Sequence, residues 1–121
     1  MHSGSCLCGA VKLTVEGEIP APDACHCTAC RKHSGHYLVS ADIKRDKLTV
    51  HGQENVGWYQ SSEKIRRGFC KICGSTLFFD PPPHINWIAV AMGAFDEPTE
   101  TCIHIHIFVS EKGDYYEISD G

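Results

Sequence analysis

The sequence predicts an all-β fold, and three observations support that class. Short runs of strand-forming residues recur every ~8–12 residues, with turn-forming residues between them. No window of ~11 or more residues shows the 3.6-residue apolar period of a long amphipathic helix. The composition, 121 residues with 42% hydrophobic and 21% charged side chains, is typical of one folded domain spanning residues 1–121. We therefore expect about nine short strands around one small core.

Nine segments carry a strand pattern: residues 11–16, 37–41, 47–51, 56–60, 64–69, 76–80, 86–92, 103–109 and 115–118. The first alternates apolar and polar side chains and ends at Gly17. The charged residues 42–46 should join the second strand to the third, and residues 61–63 should close a hairpin between the fourth and fifth. Three consecutive prolines end the sixth strand because they cannot continue a hydrogen-bonded ladder. The seventh is an apolar run typical of a buried strand, and the eighth begins by alternating Ile and His.

One segment departs from the strand pattern. Residues 28–34 are mostly polar and contain no proline or glycine, so we expect at most a short helical turn that begins at Thr28 and ends at Gly35. Four aromatic residues are most simply explained as core: Trp58, Phe78, Phe79 and Trp87.

Several function classes are disfavoured by composition. No run approaches the ~20 apolar residues of a membrane helix, so no membrane partner is expected. The N-terminal residues lack the basic and apolar regions of a signal peptide, which predicts a cytoplasmic protein with reduced cysteines. The net charge is −4, and the densest basic cluster, residues 64–71, overlaps a cysteine pair. Nucleic acid is therefore not an expected partner.

The chain contains 8 cysteines and 8 histidines, and seven of the cysteines form three tight groups. Cysteines two or three residues apart rarely form a disulfide with each other, but this spacing suits a zinc knuckle. The groups are Cys6–Cys8, Cys25–Cys27–Cys30 and Cys70–Cys73. A glycine follows the second cysteine of the first group and of the third group, and a glycine can adopt positive φ and direct its amide toward a sulfur. Together they offer four thiolates, the ligand set of a closed structural zinc site.

The middle group offers three thiolates within six residues and has no matching pair. Three ligands and one open position are typical of a catalytic or substrate-binding zinc. Alternatively, a side chain closes the site, and the candidates are His26, His33, His36 and Cys102. Three thiolates on Zn²⁺ leave a net charge of −1, which makes the metal a weak activator of water but a good partner for a fourth sulfur. The middle group is therefore interpreted as a site for a small thiol.

The three cysteine groups and their flanks resemble the glutathione-dependent formaldehyde-activating enzyme family. The matching segments are residues 4–11, 25–31 and 69–75, and the resemblance extends to residues 106–109 and 115–118. The resemblance implies the β-tent fold of small coiled antiparallel sheets held by zinc. It implies two zinc ions per chain, a structural ion on Cys6, Cys8, Cys70 and Cys73 and a catalytic ion on Cys25, Cys27 and Cys30.

The activity implied by the resemblance is a carbon–sulfur lyase reaction that adds glutathione to formaldehyde. A non-catalytic zinc module that carries a thiol or docks a protein partner is the alternative. A methionine sulfoxide reductase is a weaker third hypothesis, because the setting expected of its nucleophilic cysteine is absent around Cys102. His33 and His36 are the only candidates for acid–base catalysis that the sequence offers.

Two further groups have a structural and a functional interpretation. His104 and His106 lie two residues apart, on one face of a predicted strand, and could contact a metal, although such pairs are more often packed or hydrogen-bonded. Lys64, Arg66 and Arg67 could bind the carboxylates of a glutathione-like ligand, but a solvated strand face is the simpler interpretation.

Overall fold

Two β-sheets and one α-helix make up the computed structural model, which describes residues 1–119. The helix α1 spans Thr28–Ser34. The ten strands are β1 (His2–Ser5), β2 (Lys12–Val15), β3 (Asp23–Cys25), β4 (Leu38–Lys44), β5 (Leu48–His51), β6 (Val56–Gln60), β7 (Arg66–Cys70), β8 (Thr76–Asp80), β9 (Trp87–Ala91) and β10 (Ile105–Ile107). The predicted all-β class is confirmed.

The strands form a three-stranded sheet in the order β1-β2-β5 and a seven-stranded sheet in the order β10-β3-β4-β9-β8-β7-β6. The pairs are antiparallel, as expected for the β-tent, except that β10 runs parallel to β3 at the edge of the larger sheet. The predicted hairpin between β6 and β7 is confirmed. Strands β4 and β5 follow each other in sequence but belong to different sheets, so the chain crosses between the sheets at residues 45–47.

The main core lies between the two sheets. Leu13 and Val15 of β2 are buried against a cluster that includes Leu77 and Val90 of the larger sheet. The alternation that predicted β2 therefore reflects one face in the core and one face toward solvent. A smaller apolar cluster beneath α1 contains Cys30, Leu38, Phe79 and Ala91 together with the other two cysteines of the middle group.

The strand predictions fail in five places. Strands β1 and β3 were not predicted, because each has only three or four residues and neither carries an alternating pattern. The predicted charged turn at 42–46 begins too early, since β4 continues to Lys44 through its pairing with β9. The predicted strand at 103–109 is shorter, since Phe108 has a left-handed φ of 54° that ends β10. No strand forms at 115–118, where Tyr115 belongs to a turn and residues 116–118 have no regular secondary structure.

The aromatic residues were predicted to be core, but this holds fully only for Phe78, which is 3% exposed. Trp58 is 38% exposed and stacks on Phe78 from outside. Phe79 and Trp87 are partly buried and line a cavity described below.

Candidate metal centres and the adjoining cavity

The first cysteine centre joins the two sheets. Cys6 and Cys8 lie in the turn between β1 and β2, and Cys70 and Cys73 lie at the end of β7 and in the turn before β8. The four sulfurs lie within 4.8 Å of one another. The Sγ atoms of Cys6 and Cys8 are 3.7 Å apart, and those of Cys8 and Cys70 are 3.8 Å apart. Tetrahedral coordination with metal–sulfur distances of ~2.3 Å gives sulfur separations of about 3.8 Å. The donor set therefore fits a zinc ion.

The local turns explain how these sulfurs converge. Gly9 and Gly74 have φ of 82° and 81°, which confirms the predicted left-handed turns. Their amides, however, donate to the carbonyl oxygens of Cys6 and Cys70 and not to sulfur, so that part of the prediction is wrong. Other amides approach the sulfurs, for example the Val11 N–H, which donates to the Cys6 Sγ at 3.3 Å.

Hydrogen bonding also favours negative charge at this centre. The Ser75 hydroxyl lies 3.2 Å from the Cys73 Sγ, and the hydroxyl and amide of Ser75 together lower the pKa of the Cys73 thiol to about 5. A thiolate is the form of cysteine that binds a metal ion.

The second cysteine centre lies where the larger sheet meets α1. Cys25 ends β3, Cys27 is the N-cap of α1, and Cys30 lies in its first turn. The Cys30 N–H donates to the Cys27 Sγ at 3.3 Å, so the sulfur takes the place that a Ser or Asp oxygen usually takes at an N-cap. The three sulfurs lie within 4.8 Å of one another.

No fourth side chain joins these three sulfurs among residues 1–119. His26 is fully buried, but its ring contacts the Tyr116 hydroxyl through Nδ1 and the His106 ring through Nε2, the latter at 2.9 Å. His36 contacts the Tyr115 hydroxyl through Nδ1 at 2.8 Å. Cys102 is exposed and is not part of either cysteine centre.

Arg67 is a residue of this centre that sequence reasoning placed wrongly on a solvated face. Its side chain is buried, with the residue only 4% exposed. The guanidinium donates from Nη1 to the Cys30 Sγ at 3.3 Å and from Nε to the Ser61 Oγ at 3.1 Å. The buried side of β7 could not be identified from its sequence because Arg66 and Arg67 are identical neighbours on opposite faces.

The pKa values of the Cys25 and Cys30 thiols shift in opposite directions. The Cys25 thiol and then Arg67 donate to the Cys30 sulfur, which lowers the pKa of Cys30 to about 6 despite its burial. The same contact with Cys30, together with burial, raises the pKa of Cys25. A negative charge at this centre is therefore held on the sulfur that faces the arginine.

A cavity of about 430 Å³ adjoins the second centre, and all three cysteines line it. Its floor is one face of the larger sheet. Ser40 and Asp42 point into the cavity from β4, while the alternate residues Ala41 and Ile43 belong to the main core. Its walls are largely apolar: Leu38, Phe79, Trp87, Ala89, Ile107 and Phe108.

Two carboxyl groups lie in the cavity lining. Asp23 is two residues before Cys25 on β3, and Asp42 lies on the neighbouring strand. Partial burial and the nearby Asp23 raise the pKa of Asp42. The His104 Nε2 lies 2.7 Å from the Asp23 Oδ1, and His106 contacts His26, so both histidines are hydrogen-bonded and neither belongs to a cysteine centre.

Within residues 1–119, no helix has the length and apolar character needed to cross a bilayer.

Comparison with known proteins connects this site to a family. Residues 1–111 match the family model described as glutathione-dependent formaldehyde-activating enzyme. A Halomonas elongata protein, provisionally named as such an enzyme, is 35% identical over 95% of this chain and 79% of its own length. An uncharacterized lyase of Schizosaccharomyces pombe is 30% identical over 98% of this chain and 86% of its own length.

The fold also has a solved counterpart. A crystal structure of a Rhodobacter sphaeroides protein superposes with a TM-score of 0.68 and 24% identity, covering 84% of this chain and 99% of the other. The arrangement of strands is therefore shared with a protein whose sequence is distant. The family model and the two curated relatives extend that likeness to the sequence, and the chain belongs to the glutathione-dependent formaldehyde-activating enzyme family.

Proposed function

We propose that this protein is a zinc-dependent carbon–sulfur lyase that adds a small thiol, such as glutathione, to formaldehyde or a related small aldehyde. One observation carries the proposal. Three cysteine sulfurs converge at the wall of a cavity of about 430 Å³, and no fourth side chain among residues 1–119 completes their ligand set. Three protein ligands and an accessible fourth position are typical of a catalytic zinc site.

The two centres have different roles in this proposal. Cys6, Cys8, Cys70 and Cys73 hold a structural zinc that is closed by its four sulfurs. Cys25, Cys27 and Cys30 hold the second zinc, which when bound supplies a soft Lewis acid that favours the thiolate form of a fourth sulfur ligand near neutral pH. Residues 1–121 form a single zinc-binding domain that acts in the reducing cytoplasm, where these thiols stay unoxidised.

The chain's own residues bind and orient the reactants. The cavity walls around Phe79 and Trp87 exclude water from the sulfur of the thiol, and Arg67 holds the charge of Cys30 from the other side. In the reaction a carbon–sulfur bond forms between the thiol and the carbonyl carbon. The carbonyl becomes a hydroxyl group that takes up the proton lost by the thiol, so no oxidant or reductant is required.

A non-catalytic thiol carrier is the second candidate, and one observation favours it. No histidine lines the cavity within the described part of the chain. His33 packs beside Phe69 and lines a separate cavity, and His36 contacts Tyr115, so neither of the expected acid–base residues faces the cysteines.

The rate of adduct formation tests the proposal. Zinc-loaded protein should accelerate formation of the formaldehyde–glutathione adduct above the spontaneous rate. Cys27→Ser should remove the second zinc and abolish this acceleration, whereas Cys102→Ser, a matched change at an exposed cysteine outside both centres, should leave the rate unchanged.

The cobalt-substituted protein separates the two candidates. If added glutathione alters the thiolate-to-metal absorption band without any acceleration, the carrier function replaces the lyase. If neither the spectrum nor the rate responds, both candidates are wrong.

A further inference from the structure

The cavity beside the second cysteine centre has a charge that the family resemblance does not predict. Its lining includes Asp23 and Asp42 but no lysine, arginine or histidine within the described part of the chain. Three thiolates on Zn²⁺ add a further net charge of −1. Glutathione carries two carboxylates, and neither finds a cation in this lining. Its one ammonium group, in contrast, could pair with the carboxyl groups of Asp23 and Asp42.

The pairing of strands places both carboxyl groups on the face of the larger sheet that lines the cavity. Asp23 pairs with Ser40, and Asp42 is the next residue of β4 on the same face. The two are diagonal neighbours on adjacent strands, a relation that brings Cβ atoms to about 7 Å or less. Asp23 lies two residues from Cys25, about 6.6 Å along the strand. When the sulfur of a thiol binds at the second cysteine centre, a cationic group a few bonds away on the same molecule therefore reaches Asp23 and Asp42.

Aromatic rings complete the surroundings of the two carboxyl groups. Trp87, Phe79 and Phe108 line the same cavity. The Arg67 guanidinium lies 5.1 Å from the centre of the Phe79 ring, so Trp87 and Phe108 are the rings that a ligand would contact. The Trp87 ring also contacts the His84 ring, with 5.5 Å between the ring centres. Phe108 is 59% exposed and has a left-handed φ of 54°, a strained backbone for a bulky residue. Aromatic rings combined with carboxylates are the usual recognition elements for ammonium groups.

The basic side chains near the cavity do not remove this preference. Arg67 contacts Cys30 and Phe79 but does not itself line the cavity, and its guanidinium donates to the side chains of Cys30 and Ser61. His104 contacts one oxygen of Asp23, Oδ1, and leaves Oδ2 for another partner.

Lys44 follows Asp42 on the same face of β4, and Asp42 lines a neighbouring groove together with Lys44 and Lys47. Glu16 and Glu18 line the same groove, so two carboxylates besides Asp42 offset the charge of these lysines.

We propose that this cavity selects a thiol bearing a protonated amine, whose ammonium group binds between Asp23 and Asp42 against Trp87 and Phe108. The proposal rests on the proposed function in that the thiol sulfur binds at the second centre. Carboxylates on the same thiol stay outside the cavity, so a simple aminothiol binds more tightly than a thiol acid of equal length.

Three thiols of similar length and different charge test the proposal: 2-aminoethanethiol, 2-mercaptoethanol and mercaptoacetate. Their binding is measured on cobalt-substituted protein through the thiolate-to-metal absorption band. We expect the dissociation constant to rise from the cationic to the neutral to the anionic thiol, with about tenfold between the first and the last. Equal affinities, or tightest binding of mercaptoacetate, overturn the proposal.

Charge-matched variants locate the source of the preference. Asp42→Asn should reduce the preference for the cationic over the anionic thiol, measured as the ratio of their affinities, about threefold, because one of two carboxylates is neutralised. Glu63→Gln removes the same charge at an exposed site in the β6–β7 turn and should leave the ratio unchanged. If Asp42→Asn has no effect on the ratio, or Glu63→Gln has the same effect, the assignment is wrong.

A measurement without thiol separates this proposal from the lyase function. The chain has two tryptophans, so Trp58→Phe leaves Trp87 as the fluorescent reporter in the cavity. Ethylammonium should change Trp87 emission in the zinc-loaded protein, and acetate should not. One outcome is that no thiol alters the cobalt spectrum, but ethylammonium changes Trp87 emission and Asp42→Asn removes that change. The proposed thiol binding is then wrong, whereas the ammonium site is supported. If ethylammonium has no effect either, the ammonium site fails too.

Discussion

Arg67 and Cys30 form the most specific residue contact of the second cysteine centre. A buried guanidinium needs a counter-charge, and the side-chain partners that accept its hydrogen bonds are a serine hydroxyl and the Cys30 sulfur. A charge-assisted hydrogen bond from Arg67 stabilises the thiolate of Cys30 over the thiol. Arg67 is therefore a positioning residue for Cys30, a candidate metal ligand, and does not itself line the cavity.

Replacing Arg67 tests this role at the level of one residue. Arg67→Met should weaken zinc binding at the second centre by about 10–100-fold, the usual effect of losing a hydrogen bond to a metal ligand. It should also raise the pKa of Cys30, which hydrogen bonding from Cys25 and from Arg67 lowers to about 6. Because a proton then competes better with the metal, acid should release this zinc at a higher pH. Zinc release to a chelator, followed as pH falls, measures both effects.

Two variants control for the loss of charge and of packing. Arg66→Met removes the neighbouring guanidinium, which pairs with Asp80 and stacks on Trp58, and should leave zinc release from the second centre unchanged. Arg67→Lys should restore part of the affinity. An unchanged release curve for Arg67→Met would remove Arg67 from the metal centre.

The C-terminal segment contacts the middle cysteine group in two ways, through strand pairing and through hydrogen bonds to a side chain. Strand β10 pairs in parallel with β3, and the His26 N–H donates to the carbonyl of Ile107. Beyond β10, Glu111 accepts hydrogen bonds from the Thr28 amide and hydroxyl at the start of α1. These hydrogen bonds from Thr28 lower the pKa of Glu111. The segment therefore holds the turn that carries the middle cysteine group against the sheet.

Tyr116→Phe tests how much this segment contributes. His26 is fully buried between two candidate ligands, and the Tyr116 hydroxyl is the partner of its Nδ1. Leaving a buried polar atom without a partner costs about 1–3 kcal/mol of unfolding free energy. Urea denaturation of the zinc-loaded protein should show that loss. Tyr115→Phe removes an exposed hydroxyl that contacts His36 and should cost less than about 0.5 kcal/mol. Equal losses for the two variants would argue against a special role for Tyr116.

Across the whole molecule, the first cysteine centre joins parts of the chain that are distant in sequence. Cys8 and Cys70 are 62 residues apart, and the turns that carry them belong to different sheets. A metal held there stabilises the packing of one sheet on the other, and the buried Cys6 and Cys70 belong to the apolar core itself.

Cys70→Ser should therefore destabilise the entire fold. Structural zinc binding contributes on the order of 10 kcal/mol to the folding of small domains, which is as large as the total stability of a typical protein. Thermal unfolding and the zinc content per chain measure the effect. Cys27→Ser should lose only the second zinc and keep a cooperative transition, and Cys102→Ser should behave as the parent protein does. A native melting temperature for Cys70→Ser after chelation would contradict the structural assignment.

The features that depend on neighbouring residues could be predicted from the sequence. Alternation along residues 11–16 predicted β2 because one side of that strand faces the core, and Gly35 ended α1 through its left-handed backbone, as its position predicted. Spacing within the three cysteine groups indicated two clusters of ligands, since thiols two or three residues apart converge in a tight turn. Three-residue strands such as β3 carry too few residues to show a pattern, so that strand was missed.

Contacts between side chains that are distant in sequence could not be predicted, because they depend on how the sheets and the helix pack. Arg67 and Cys30 are 37 residues apart, and neither sequence pattern nor composition specifies that the buried face of β7 points toward α1. The acidic cavity has the same origin, because Asp23 and Asp42 become neighbours through the register of β3 on β4. The segment 115–118 resembled a strand locally, yet its tyrosines contact His26 and His36. Such contacts depend on the summed packing of both sheets, which no local segment encodes.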